Sequence, residues 1–269
     1  MMTCLGLFQF AGRLGTCCMT ALVLAGWLSC DQSPSSTSHS EPSALSASQS
    51  SVEQPALHEP LPATGLSSDN RPRIVAFGDS LTAGLGISPA QSYPMQLQKR
   101  LDALGYPYEV LNAGVSGETT AGGVRRVSWI LAGKPDMVIL ELGGNDGLRG
   151  LSLSETRSHL DAIIRRFKEA HVPVLLVGMK LPPNYGEEYT ARFEAMYQEL
   201  ATTHALPLIP FLLEGVAGEK TLNQSDGIHP TGEGYRIVVN NVLEGLLPIL
   251  NEKQPDHSKN KARTITPAR

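Results

Sequence analysis

The chain of 269 residues has almost no cysteine and no excess of basic charge. Its four cysteines all lie within the first thirty positions, at Cys4, Cys17, Cys18 and Cys30, so the rest of the chain has no disulfide and must be stabilised by a packed core. Lys and Arg number 22 against 26 Asp and Glu, and the net charge of -4 argues against nucleic acid as a partner. Hydrophobic residues make up 41% of the chain, which excludes a wholly disordered protein.

An apolar run near the amino terminus is too short for a comfortable membrane span. It covers residues 17–28 after Arg13, which is the length of the hydrophobic region of a secretory signal. Because it ends in Ser29-Cys30, it resembles a bacterial lipoprotein signal, which implies lipidation at Cys30, although Trp27 stands where that pattern usually has Leu. Residues 1–30 are predicted to be a signal peptide of this type, with an ordinary cleaved signal as the alternative. Both predict an extracytoplasmic protein, and the first predicts a periplasmic protein with a membrane anchor.

Two segments contain few large apolar side chains. Residues 31–71 are rich in Ser, Pro, Thr, Gln and Ala and cannot bury enough surface to offset the entropy of ordering, so they are predicted to be a disordered linker. Residues 251–269 are polar and basic and lack an apolar helical stripe, so they are predicted to be a disordered tail. The remaining residues, 72–250, form one predicted domain.

Within this domain, short apolar runs alternate with helical patterns. Apolar residues spaced i, i+3, i+4 and i+7 predict helices at 160–167, opened by Ser152 and Glu155 as a capping box, and at 193–200, and a last helix follows Pro230. The runs that read as strands buried on both faces are residues 74–77, 108–111, 137–140, 174–177 and 208–211. This order predicts a three-layer α/β/α sandwich around a five-stranded, mainly parallel sheet of the flavodoxin-like type.

In such a sheet, functional groups collect where strands end. Ser80 follows the first predicted strand, and a serine at a turn into a helix can be an acyl-accepting nucleophile or can simply cap the helix. The turn is not the nucleophile elbow of α/β-hydrolases, because Thr82 stands where G-x-S-x-G requires glycine. After the next two strands, the Gly117 N–H and the Asn145 amide could each face an oxyanion, or both residues could only form turns.

The loop before the last helix carries a carboxylate and an imidazole. Asp226 lies three residues ahead of His229, so it can orient the ring while the opposite nitrogen takes a serine proton; alternatively, the two are a turn residue and a helix cap. Asp79, Asp146, Asp226 and His229 could also bind a metal. No second His or Cys accompanies His229, so no metal and no cofactor are predicted.

Four blocks in sequence order resemble the GDSL family of SGNH hydrolases. They are GDSL at 78–81, SGETT at 116–120, GGND at 143–146 and DGIHP at 226–230. The resemblance implies the SGNH hydrolase fold and a serine esterase that needs no cofactor. It implies that Ser80 is the nucleophile, His229 the base and Asp226 the residue that orients it, while Gly117, Asn145 and the Ser80 N–H form the oxyanion hole.

The wider stretches at 141–150 and 181–186 resemble the periplasmic branch called thioesterase I, arylesterase or lysophospholipase. This implies a small-molecule acyl ester as substrate, with thioesters and lysophospholipids as further substrates. A deacetylase of cell-wall or capsular sugars and an inactive acyl-binding surface lipoprotein are the alternatives. The side chains expected either to line an acyl site or to fill the upper core are Leu148, Leu151, Leu181, Pro182, Pro183 and Tyr185.

Overall fold

The computed structural model describes residues 70–253. The predicted signal peptide with Cys30, the predicted linker up to residue 69 and residues 254–269 of the predicted tail lie outside the described residues. Residues 251–253, predicted as the start of the disordered tail, are instead the end of the last helix. Within residues 70–253, no helix combines the length and the apolar character that a membrane crossing requires.

In this part of the chain, five strands form one sheet in the order β2-β1-β3-β4-β5, and every neighbouring pair is parallel. The predicted fold is therefore confirmed. The last strand is shorter than expected, because the regular pairing with β4 stops at Ile209 and the next bond to Gly178 O comes from the Leu212 N–H, at 3.1 Å. The strands are β1 Arg73–Gly78, β2 Glu109–Gly114, β3 Met137–Glu141, β4 Val174–Val177 and β5 Leu208–Ile209.

Helices cover both faces of the sheet. The predicted start of one long helix is present, since the Ser152 side chain accepts the Glu155 N–H at 3.4 Å. Two short helices that the periodicity did not predict follow β1 and β3 directly. The helices are α1 Ser80–Ala83, α2 Tyr93–Leu104, α3 Thr120–Ala132, α4 Gly144–Leu148, α5 Leu153–Glu169, α6 Glu187–His204 and α7 Gly232–Lys253.

The core is formed between the sheet and the two helical layers. Helices α3, α5 and α6 pack side by side, and α2 packs against α7. Phe77 of β1 is fully buried and meets Phe167 of α5 edge to face, with ring centroids 6.1 Å apart. Every strand of the sheet runs in the same direction, so all five carboxyl ends lie along one edge of the sheet.

The strand order places a crevice at this edge. The chain passes from β1 to β2 on one side and then returns to β3 on the other side of β1. The segments that leave β1 and β3 therefore diverge, which is where parallel α/β sheets bind their ligands. The helices α1 and α4 begin at this point, so their first residues face the crevice.

Candidate active site

Ser80 is the first residue of α1, and only Asp79 separates it from the end of β1. The N-cap of α1 is Asp79, whose side chain accepts the Leu81 N–H at 3.0 Å, so the capping role considered for Ser80 belongs to Asp79. Gly78 makes the tight turn possible, because a Cβ there would overlap the side chains of Thr82 and Glu141. The Ser80 hydroxyl is left free of the cap and lies at the edge of a cavity.

A chain of hydrogen bonds connects Ser80 to His229 and Asp226. His229 Nε2 lies 2.9 Å from Ser80 Oγ, and His229 Nδ1 lies 2.7 Å from Asp226 Oδ2. Asp226 Oδ1 also accepts the backbone N–H groups of His229 at 3.0 Å and Ile228 at 2.9 Å. These hydrogen bonds lower the pKa of Asp226 to about 2, and the bond from the His229 N–H has the largest effect. The carboxylate is therefore ionised at neutral pH. An ionised Asp226 favours a proton on Nδ1, which leaves Nε2 free to accept one.

The loop that carries Asp226 and His229 is closed by backbone hydrogen bonds. The Thr231 N–H donates to Leu222 O and the Gln224 N–H donates to His229 O, both at 2.8 Å. The Gln224 side chain also donates to Leu85 O at 2.7 Å, just beyond α1. The imidazole is therefore held on a fixed loop that is bonded directly to the segment carrying the serine.

Asn145 lies in α4, at the end of β3. Its amide nitrogen donates to Asp79 Oδ2 at 3.0 Å, and its amide oxygen accepts from Arg149 at 3.4 Å. Arg149 also donates to Gly117 O at 3.0 Å, which ties the loop after β2 to α4. Gly117 adopts a positive φ of 77° and is outside the cavity lining, whereas Asn145 is part of it. The second amide hydrogen of Asn145 can therefore serve an oxyanion near Ser80.

A buried pair of carboxyls under the serine turn was missed from the sequence. Glu141, the last residue of β3, is fully buried and accepts the Thr82 hydroxyl at 2.8 Å and the Asp79 N–H at 3.3 Å. Burial raises the pKa of Asp79 to about 6 and raises the pKa of Glu141 well above its ordinary value. The signal that could have revealed the pair was a glutamate ending an otherwise apolar strand.

A cavity of about 580 Å³ opens beside Ser80 and His229. Of the expected acyl-binding side chains, Leu148, Leu181, Pro182 and Pro183 line it. Two others do not: Leu151 is 42% exposed to solvent, and the Tyr185 hydroxyl donates to Leu148 O at 2.9 Å from outside the lining. Lining residues that sequence reasoning missed, all in segments that follow β4 and β5, are Met179, Phe211, Leu213, Ala217 and Ile228.

The carboxylates considered as metal ligands have other partners. Asp146 accepts the Thr120 N–H at 2.9 Å and the Thr120 hydroxyl at 2.6 Å, which joins the start of α3 to α4. Within residues 70–253, no three His, Cys, Asp or Glu side chains are arranged to hold a metal ion. Asp146 therefore acts as a structural bridge between the SGETT and GGND segments.

Comparisons with known proteins identify the family of the chain. The model of the GDSL-like lipase/acylhydrolase family matches residues 76–237. Esterase TesA of Pseudomonas aeruginosa is 42% identical over 178 residues, which cover 66% of this chain and 89% of TesA. Thioesterase 1/protease 1/lysophospholipase L1 of Escherichia coli is 35% identical over 179 residues, 66% of this chain and 85% of that protein.

Solved structures give the same result. The crystal structure of AlinE4, described as an SGNH-hydrolase family esterase, is 43% identical with a TM-score of 0.57, and the match covers 65% of this chain and 97% of that one. The family match spans all four sequence blocks. The chain therefore belongs to the GDSL-like lipase/acylhydrolase family of ester hydrolases.

Proposed function

We propose that this ester hydrolase acts by two-step acyl transfer through Ser80. The observation that carries the proposal is the hydrogen-bonded chain from Ser80 through His229 to Asp226 at the edge of an apolar cavity. His229 Nε2 takes the hydroxyl proton as Ser80 Oγ attacks the carbonyl carbon of the ester. The tetrahedral intermediate then collapses, and the departing alcohol or thiol receives the proton from His229. A water molecule, deprotonated by the same nitrogen, attacks the acyl-serine, and the acid leaves as Oγ regains its proton.

Stabilisation of the oxyanion is assigned to three donors. They are the backbone N–H groups of Ser80 and Gly117 and the side-chain amide of Asn145. The amide is held from both ends by Asp79 and Arg149, so it needs no reorganisation when charge develops on the carbonyl oxygen. Ionised Asp226 supports the imidazolium that forms in the same step.

The substrate is assigned as an ester with an acyl chain, and thioesters and lysophospholipids are further substrates. Support comes from the lining of the cavity, which contains Leu148, Leu181, Phe211 and Leu213 close to Ser80. Relatives named esterase and thioesterase 1/lysophospholipase L1 are consistent with this substrate class. A sugar would leave its hydroxyl groups without partners against such walls.

We also propose that the enzyme works outside the cytoplasm, in the periplasm, on a membrane anchor attached at Cys30. The signal-like residues 1–30 and the polar segment 31–71 support this location. As a flexible coil, that segment would span on the order of 35 Å, enough to separate the hydrolase from a lipid surface.

Ser80→Ala is expected to abolish turnover of a p-nitrophenyl ester and covalent labelling by a fluorophosphonate probe, because only a serine paired with an imidazole is strongly nucleophilic. Mass spectrometry of the labelled wild type should place the adduct on Ser80. Ser92→Ala, which removes another buried serine, is the matched control and should keep the label. An adduct on a different serine would refute the assignment.

Asn145→Ala should lower kcat by about 10²- to 10³-fold with little change in KM, since the amide serves a charge that exists only in the transition state. Kinetics and the melting temperature are measured on the same protein. Asn112→Ala is the control, because Asn112 lies inside β2, accepts the Gly114 N–H at 2.9 Å and is outside the cavity lining. A destabilised Asn145→Ala with wild-type kcat would remove this residue from the oxyanion hole.

The substrate class is tested with p-nitrophenyl esters from acetate to octanoate. Each methylene buried in the cavity contributes about 0.8 kcal/mol, so kcat/KM should rise by up to about 4-fold per methylene until the cavity is filled. Ile228→Asn, a cavity residue that is 44% exposed, should lower the ratio of octanoate to acetate activity. Leu85→Asn, 45% exposed and outside the lining, should leave the ratio unchanged. Highest activity on acetate or on an acetylated sugar would contradict the acyl-chain assignment.

Cys30→Ala should abolish incorporation of labelled fatty acid and release the protein from the membrane fraction in soluble form. Ester hydrolysis should persist, because the predicted linker separates the anchor from the site. Fractionation and ester assays on cells producing either form measure both effects, with Cys18→Ala as the control. Membrane retention of Cys30→Ala would show that residues 17–28 act as an uncleaved anchor.

A further inference from the structure

Glu141 lies directly beneath the serine turn and is fully buried. One carboxyl oxygen accepts two hydrogen bonds, from the Thr82 hydroxyl and from the Asp79 N–H, and these donors flank Ser80 on both sides. The other oxygen, Oε1, receives no donor from the described residues. No Lys, Arg or His within residues 70–253 forms a salt bridge with Glu141. An ionised glutamate in this position would be an uncompensated buried charge.

Asp79 is the second carboxyl of the pair and is only 2% exposed. Its two oxygens accept the Leu81 N–H and the Asn145 amide, each at 3.0 Å, so the carboxyl holds both the serine helix and the proposed oxyanion donor. Because the Glu141 carboxyl accepts the backbone N–H of this same Asp79 at 3.3 Å, the two carboxyl groups are buried next to each other. Ionising both of two adjacent buried carboxyls costs free energy through desolvation and mutual repulsion, and one shared proton removes the repulsion.

We propose that Glu141 is a positioning residue that acts as a neutral carboxylic acid, donating its O–H to Asp79 so that Asp79 stays a pure acceptor and aims the Asn145 amide at the oxyanion. The same carboxyl fixes Ser80 through Thr82 and the Asp79 N–H. The inference rests on the proposed function for the role of Asn145. Glu141 belongs neither to the chain from Ser80 through His229 to Asp226 nor to the proposed oxyanion hole. Its role is to hold Ser80 and Asn145 in position relative to each other.

The surroundings of the pair favour this protonation state. Burial first, and then the neighbouring Asp79, raise the pKa of Glu141 well above its ordinary value. The other titratable groups nearby are the phenols of Tyr93, Tyr197 and Tyr235, whose pKa values are themselves raised by burial, so they remain neutral. His229, when protonated, lowers the pKa of Asp79, which keeps the shared proton on Glu141 during catalysis.

The Glu141 carboxyl is also packed closely against Gly78. A Cβ on Gly78 would overlap the Thr82 hydroxyl, the Glu141 carboxyl and the Glu141 backbone oxygen. The glycine of the serine block therefore leaves the space in which the Glu141 carboxyl meets the turn. On the other side of α1, the Tyr235 hydroxyl donates to Leu81 O at 2.9 Å, so the turn is held from below by Glu141 and from α7 by Tyr235.

The test compares Glu141→Gln with Glu141→Met. Glutamine can donate to Asp79 and accept from Thr82 and the Asp79 N–H, so kcat per active site should stay within about 3-fold of the wild type. Methionine has similar length but makes none of these bonds, so kcat should fall by about 10- to 100-fold with little change in KM. Active sites are counted by fluorophosphonate titration, which removes the effect of misfolded protein.

The control is Leu140→Ala, on the opposite face of β3 and fully buried. It should lower the melting temperature and leave kcat per active site unchanged, because it creates a cavity without touching the turn. Wild-type kcat in Glu141→Met, or a Glu141→Gln variant as impaired as Glu141→Met, would overturn the proposal. If Glu141→Met does not fold, Asp79→Asn replaces it. The single side-chain oxygen of the asparagine must then accept both the Leu81 N–H and the Asn145 amide, so kcat should fall with KM nearly unchanged.

A second readout does not depend on activity. A raised pKa means that folded protein holds a proton that the unfolded chain releases, so wild-type stability falls as pH rises above the ordinary range of glutamate. Glu141→Gln lacks this proton. The difference in melting temperature, Glu141→Gln minus wild type, should therefore increase from pH 5 to pH 8. A difference that does not change with pH would mean that Glu141 is ionised, and would refute the neutral acid. Failure of Ser80→Ala or Asn145→Ala to behave as expected would refute the proposed function instead, with this readout unaffected.

Discussion

The parallel pairing of β1 with β3 aligns Gly78 with Glu141, and both strands end at this register. The chain leaves β1 into the serine helix and leaves β3 into the helix that carries Asn145. Because the two strands are hydrogen-bonded neighbours, residues far apart in sequence come together with almost no freedom to separate. Ser80, the proposed nucleophile, and Asn145, the proposed oxyanion donor, are thus positioned by the ends of two paired strands, and the Asp79 carboxyl accepts the Asn145 amide at 3.0 Å.

Carboxyl groups take opposite protonation states in this site because their environments differ. Asp226 lies on an exposed loop and accepts two backbone N–H groups, and those bonds lower its pKa to about 2. Glu141 is fully buried beside Asp79, and burial raises its pKa. In the proposed mechanism, the first carboxyl therefore supports the positive charge of an imidazolium. The second can contribute only as a neutral group, and its contribution is geometric.

The polar site residues and the apolar walls of the cavity come from different parts of the chain. Ser80 and Asn145 come from the ends of central strands, whereas Met179, Phe211 and Leu213 come from the segments after β4 and β5. Changes in these outer segments can alter the shape of the cavity without disturbing the hydrogen bonds at the strand ends. Such a division lets one catalytic arrangement serve different acyl groups, since specificity resides in walls that the sheet does not constrain.

Local pattern in the sequence was enough to predict the strands, the helices α5, α6 and α7 and the polar residues at the strand ends, because periodicity and turn chemistry act over a few residues. The hydrogen bond between Ser80 and His229 required the fold, since 149 positions separate the two. Only the tertiary structure showed that Glu141 lies under the serine turn and that Phe211 lines the cavity while Tyr185 does not. These facts depend on strand register and on how distant loops pack, which are decided by contacts between residues far apart in the sequence.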